Sequence, residues 1–210
     1  GLPGPCQRLR CLAIRPAVSM RIALLCLSLP LALAACGAEP VWAPDEAVAR
    51  ARYVSNEPTS LTLFTVVSKR NGSGGHSALM INASQRVLFD PAGSFKVGSV
   101  PERNDLLYGI TERMRKLYID YHARETYDVL AQTILVSPAV AEQALREAQS
   151  YGAVNKAFCG NSVSDILKDL PGFENTPRTV SPIRISEAFA AHPGVMTHLY
   201  RDRTFRPASS

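Results

Sequence analysis

Gly75-His76-Ser77-Ala78-Leu79-Met80-Ile81-Asn82-Ala83-Ser84-Gln85-Arg86-Val87-Leu88-Phe89-Asp90-Pro91 reads as two short strands joined by a tight turn. Residues 76–82 and 86–90 are mainly apolar. The polar residues around Asn82–Gln85 separate them, and Pro91 with the small residues after it stops the second run. The two-residue period of a strand puts His76, Ala78, Met80 and Asn82 on one face, and Arg86, Leu88 and Asp90 on one face of the next strand. An odd number of loop residues brings those two faces together. With Asn82, Ala83 and Ser84 as the loop, Ile81 pairs with Gln85 and His76 stands directly opposite Asp90. A two- or four-residue turn would send Asp90 to the other side.

Outward from this hairpin the chain alternates between the two regular periods. Leu61-Thr62-Leu63-Phe64-Thr65-Val66-Val67, within residues 60–68, is β-branched and apolar enough for a core strand, and the glycine-rich loop of residues 69–75 connects it to the hairpin. Met114, Leu117, Tyr118 and Tyr121 recur at three- and four-residue spacing, predicting an amphipathic helix over residues 112–124. A third long strand follows at residues 127–136. Ser137-Pro138 supplies an N-cap and a first-turn proline for a helix to about Ser150, which Gly152 closes. Val163, Ile166, Leu167 and Leu170 predict a further helix after Cys159, ended by Pro171-Gly172. A short helix near residues 186–191 and a last strand at residues 196–200 complete an α+β domain, an antiparallel sheet packed on helices, over residues 59–210.

The N-terminal part has a different character. From Met20 the chain reads Arg21, an apolar run from Ile22 to Leu33 broken by Pro30, and then Leu33-Ala34-Ala35-Cys36. About a dozen apolar residues are too few to span a bilayer, which takes roughly 20, and small residues before the cut mark a signal peptide over residues 20–35. The tetrapeptide resembles the bacterial lipobox. That resemblance implies cleavage before Cys36, lipid (palmitate among the acyl chains) on its thiol, and a periplasm-facing protein held on a membrane of the cell envelope. Residues 1–19 lack an initiator methionine and any periodic pattern and read as an upstream extension. Residues 36–58, with Pro40, Pro44 and Pro58, read as a lipidated tether with a short helix around residues 45–53.

The whole chain has 210 residues and a formal charge of +5. Removing residues 1–35 takes away four arginines and no acid, leaving a mature chain near neutrality. The basic balance belongs to the leader, no basic run interleaved with aromatics remains, and nucleic acid is excluded as a partner. Of five cysteines, Cys6, Cys11 and Cys26 leave with the leader and Cys36 becomes a thioether. Cys159 stays as the single thiol, so no intramolecular disulfide is expected. A free thiol in an oxidising compartment asks for a chemical reason.

Phe158-Cys159-Gly160-Asn161-Ser162 opens a helix, where unpaired backbone N–H groups and the positive end of the dipole favour a thiolate. Gly160 leaves room for a substrate to approach the backbone, and the Cys159 amide can serve an oxyanion. Cys159 lies four residues before Val163, on the face turned to the sheet. His76 is then the candidate base and Asp90 the group that orients it.

Gly75-His76-Ser77-Ala78-Leu79, Val87-Leu88-Phe89-Asp90-Pro91 and Phe158-Cys159-Gly160-Asn161-Ser162-Val163-Ser164 together resemble a circularly permuted NlpC/P60 domain, over roughly residues 60–170. These are papain-like cysteine hydrolases and acyltransferases, the lecithin:retinol acyltransferase type among them. The resemblance implies Cys159 as nucleophile, His76 as base and Asp90 as third member, with Ser94 or Asn82 as substitutes for Asp90. It implies an acyl-Cys159 intermediate formed from a cell-wall peptide amide or a lipid acyl ester, with no cofactor. A monomer is expected.

The competing expectation is a non-catalytic envelope lipoprotein that uses the same fold to bind. Gly160-Asn161-Ser162-Val163-Ser164 lacks the last glycine of a nucleophile elbow, which leaves a Ser162 hydrolase a distant third. His122, His192 and His198 show no paired-ligand spacing, so the sequence predicts no metal site.

Overall fold

The computed structural model describes residue 38 and residues 40–202. The expected leader and cleavage site, and Cys36, the residue expected to carry lipid, lie outside the described residues. Among the described residues no helix is long and apolar enough to cross a membrane.

The fold is α+β. A seven-stranded, wholly antiparallel sheet is formed by β1 (Ser60–Ser68), β2 (Gly74–Asn82), β3 (Arg86–Phe89), β4 (Glu102–Arg103), β5 (Leu106–Tyr108), β6 (Tyr127–Leu135) and β7 (Met196–Tyr200). Its strand order is β4-β5-β3-β2-β1-β6-β7. Among the described residues five helices accompany it: α1 (Asp45–Ala51), α2 (Glu112–His122), α3 (Pro138–Ser150), α4 (Cys159–Lys168) and α5 (Pro182–Ala190). β1 is central because it is apolar on both faces. Leu61 and Leu63 pack with Leu79, Ile81, Val87 and Phe89 under α3, α4 and α5. Phe64 and Val66 join Ala78, Met80 and Leu88 on the opposite face, under Tyr118 and Ile119 of α2.

Sequence periodicity predicts the long strands well and the short ones not at all. β4 and β5 are two and three residues long, too short to show a period. α5 starts at Pro182 rather than near Ser186, because Ser181 caps it by accepting from the Arg184 amide and proline occupies its first position. The expected cap of α3 is present, Ser137 accepting from Val140 N–H, and α2 has one that the spacing does not predict, Thr111 accepting from Met114 N–H. The stretch read as a tether is bonded to the domain from Val41 onward. Asn104 N–H donates to the Val41 carbonyl, Ala43 N–H to that of Glu102, and Arg103 stands 4.6 Å from the Trp42 ring.

The β2–β3 turn has three loop residues, Ala83 to Gln85, so the odd parity that places Asp90 on the face of His76 holds. The register differs from the expected one by two residues. Asn82 pairs with Arg86 and Met80 with Leu88, and the same register carried on sets Asp90 beside Ala78, with His76 one diagonal step away. Asn82 is a buried strand residue, not a turn residue. Its amide donates to the carbonyls of Glu57 and Pro58, at 3.1 and 2.9 Å, and accepts from Arg86 Nε.

Arg86 explains why that register is held. Its side chain is 0% exposed, and its guanidinium donates to Ser55, Glu57, Glu112 and Asn82 while lying 5.5 Å from the Tyr53 ring. One buried cation thus joins residues 53–57, β3 and the first residue of α2. Removing one partner of such a network leaves unmatched charge and a void. Arg86→Met is therefore expected to lower stability by about 3 kcal/mol or more in urea denaturation. A loss below about 1 kcal/mol would show that Glu57 and Glu112 simply rehydrate and that the register is held elsewhere.

Candidate active site

The site forms where β3 stops. Pro91 cannot donate to a ladder, and Ala92 follows with φ 56 while Gly93 N–H bonds back to the Asp90 carbonyl at 2.9 Å. The β2–β3 ladder therefore covers only Leu79 to Asn82, and the first half of β2 has no β3 neighbour. The start of α4 meets this open edge. The backbone amides of Ser77 and Gly160 act on the Cys159 thiol there and favour its thiolate. A gap at a sheet edge is a place where a thiol from one layer can meet an imidazole from the other.

His76 hydrogen-bonds Asp90 and is electrostatically coupled to Cys159, the two partners that the sequence assigns to it. Its Nε2 stands 2.6 Å from Asp90 Oδ1, and its ring and the Cys159 thiol stabilise each other's charged form. Asp90 Oδ1 also accepts from the hydroxyl of Tyr118, a fully buried residue, at 2.9 Å. The alternatives to Asp90 are engaged elsewhere. Asn82 serves Glu57, Pro58 and Arg86, and Ser94 accepts from the Tyr121 hydroxyl. The Ser162 hydroxyl donates to the Phe158 carbonyl at 2.9 Å, as a first-turn serine does when it closes its own helix.

The charges of the group are interdependent. Burial of His76 disfavours its protonated form, but the Asp90 hydrogen bond, the Cys159 thiol and their charges outweigh it and raise its pKa to about 10. Burial raises the Asp90 carboxyl, and the His76 hydrogen bond and charge, His122 and the Tyr118 hydroxyl together bring it below its usual range. Burial likewise opposes a Cys159 thiolate. The His76 hydrogen bond and charge, followed by the Ser77 and Gly160 amides, lower the thiol below its ordinary value. Each of these shifts favours the charged form of its group: thiolate at Cys159, imidazolium at His76 and carboxylate at Asp90.

Three residues of this neighbourhood carry no sequence signal of their own. Tyr118 reads only as part of an amphipathic stripe. His122, one turn further on, stacks on His76 with ring centroids 5.7 Å apart and planes 10° from parallel, and sits 4.4 Å from the Tyr118 ring. The sequence treats it as isolated, because the titratable groups it meets, His76 and Asp90, come from a strand and a loop some thirty or more residues away. Gly93 is the third. A Cβ there would lie 1.8 Å from Asp90 Oδ2, so the carboxylate occupies the space a side chain would fill. Gly160 has a different role from the expected one: its missing side chain makes room not for substrate but for the carbonyls of Thr179 and Val180, which a Cβ would meet at 2.8 and 2.7 Å.

Two clefts of about 950 and 500 Å³ lie toward β7 and have none of Cys159, His76 or Asp90 among their lining residues. Cavity size alone would misplace the site. Comparison with protein-family models, with characterised proteins and with solved structures returns no match.

Gly93→Ala is the mildest change that should displace Asp90. It is expected to slow alkylation of Cys159 by iodoacetamide about 100-fold, the scale of a 1 Å misplacement, with the far-UV dichroism unchanged. A rate within twofold of the parent would show that the carboxylate position does not control the thiol.

Proposed function

We propose that the protein is a papain-like cysteine hydrolase or acyltransferase, arranged as in the circularly permuted NlpC/P60 group, acting on an amide or ester through an acyl-Cys159 intermediate. The observation that carries this reading is the chain Cys159–His76–Asp90, made by a helix start, a strand and the residue after the next strand. Its chain order, histidine then acid then cysteine, is the order that the sequence resemblance implies.

The chemistry follows from the contacts. The Cys159 thiolate attacks the carbonyl carbon, and the carbonyl π electrons move to oxygen. The α4 start offers the Cys159 amide to that oxyanion. As the intermediate collapses, the bond to the leaving nitrogen or oxygen breaks and His76 gives its proton to that atom. A thioester remains. His76, now neutral, takes a proton from water or from an acceptor alcohol or amine, which attacks the thioester and expels the Cys159 thiolate. Asp90 keeps the ring oriented and balances its charge through both steps.

Lipid on Cys36 would hold the domain at an envelope membrane. Its reach then covers two substrate classes, peptide amides of the cell wall and acyl esters of lipids. A second feature supports a chemical rather than structural role for the thiol: Cys159 is the free cysteine among the described residues and sits against polar donors instead of a wholly apolar shell.

An electrophilic acyl probe is expected to label the parent protein and to fail on Cys159→Ala. Labelling of His76→Ala and Asp90→Asn should fall by roughly 10²–10⁴-fold, the usual worth of positioned acid–base catalysis. Labelling equal in the parent and His76→Ala would sink the enzyme reading and favour a binding module. In cells, incorporation of a palmitate analogue should be lost in Cys36→Ala, and retention would refute the anchor.

A further inference from the structure

We propose that His76, Asp90 and His122 form a binding site for a borderline divalent transition-metal ion, Zn²⁺ being the probe, whose occupancy blocks the thiol chemistry.

One ligand atom from each of the three residues lies within 4.8 Å of the other two. Zinc bonds to nitrogen and oxygen of about 2.1 Å in tetrahedral geometry place ligand atoms roughly 3.5 Å apart, so closing the set takes side-chain shifts of about an ångström together with a turn of the His122 ring out of its stack on His76. The imidazole nitrogens and carboxylate oxygen are the donor types of a three-ligand zinc site with an open fourth position.

The second argument is orientation. Nδ1 of His122 lies 3.0 Å from the Tyr118 carbonyl oxygen. A carbonyl can only accept, so the proton sits on Nδ1 and Nε2 carries a lone pair. The same tyrosine's hydroxyl donates to Asp90. Fixing a histidine tautomer through a backbone carbonyl, and a ligating carboxylate through a hydrogen bond, is how metal sites orient their ligands. Tyr118 does both. The remaining ligand is Nε2 of His76, the nitrogen that faces Asp90. The Cys159 sulfur is not among the ligand atoms of this group, which separates the site from ordinary capture of zinc by a thiolate.

Binding exchanges one species for another. The metal takes the His76 Nε2 lone pair, the proton held there leaves to solvent, and the Asp90–His76 hydrogen bond is replaced by two bonds to the ion. His76 keeps a proton on Nδ1 but can no longer cycle between imidazolium and imidazole, so acyl transfer stops. This second part rests on the proposed enzymatic reading. The binding itself does not.

The test uses the full chain, freed of metal with a chelator and then titrated calorimetrically with Zn²⁺ and spectroscopically with Co²⁺. One ion per chain is expected, with equal affinity within about threefold in the parent and Cys159→Ala and at least a tenfold loss in His122→Gln. The cobalt spectrum of the parent should show ligand-field bands without a thiolate charge-transfer band. That spectrum decides the matter even if His122→Gln fails to fold. Absence of saturable binding, affinity indifferent to His122, or a thiolate band that disappears with Cys159→Ala would each overturn the site. With binding established, Zn²⁺ should suppress acyl-probe labelling of the parent and a chelator restore it. Labelling untouched by bound Zn²⁺ would overturn the block alone. A protein that binds Zn²⁺ as expected but is never labelled in metal-free form would count against the enzymatic reading and leave the metal site standing.

Discussion

Burying the guanidinium of Arg86 imposes order well beyond its own strand. A charge fully removed from water must find partners in every direction its nitrogens point, and those partners come from three separate parts of the chain: residues 53–57, Asn82 on β2, and Glu112 at the first turn of α2. The Asn82–Arg86 pair fixes the hairpin register. The Glu112 contact roots α2 over β3. Once its first turn is fixed, the helical repeat carries Tyr118 and His122 toward the far end of the same strand, where Asp90 waits. A cation at one end of β3 thereby positions the anion at the other.

Asp90 shows how burial and pairing compete. Its carboxyl is closed off from solvent, which alone would keep it protonated, yet the imidazole, the Tyr118 hydroxyl and the nearby His122 keep it ionised. His76 meets the opposite demand and is settled by the same contact. Each group is costly to charge alone and favourable to charge together. Gly93 belongs to this balance by what it lacks, since any side chain there would stand where the carboxylate is.

Much of this was legible in the chain. The long strands and capped helices follow from period and capping residues. The face shared by His76 and Asp90 follows from loop parity. The two-residue slip in register does not, because parity fixes a face and not a position along it. Deciding the position required knowing that Asn82 has two carbonyls to bond in residues 57–58, a contact between segments some 24 residues apart. β4 and β5 were invisible because two or three residues carry no period. His122 and Tyr118 read as ordinary members of a helical stripe, since the groups they meet lie on other elements. Gly160 illustrates the reverse error: a glycine beside a reactive residue suggests space for a ligand, and the space is filled by the chain's own backbone.

The edge of β2 left open by the early end of β3 has a further consequence for the proposed cycle. The Ser77 and Gly160 amides are matched to a negatively charged sulfur. In a thioester that charge is gone, so both donors face a poor acceptor while His76, having given up its proton, is neutral. The covalent intermediate then sits in surroundings built for the free enzyme. Deacylation restores the thiolate and re-satisfies the strand edge, so the polarity of β2 itself biases the chain toward turnover rather than toward a trapped adduct.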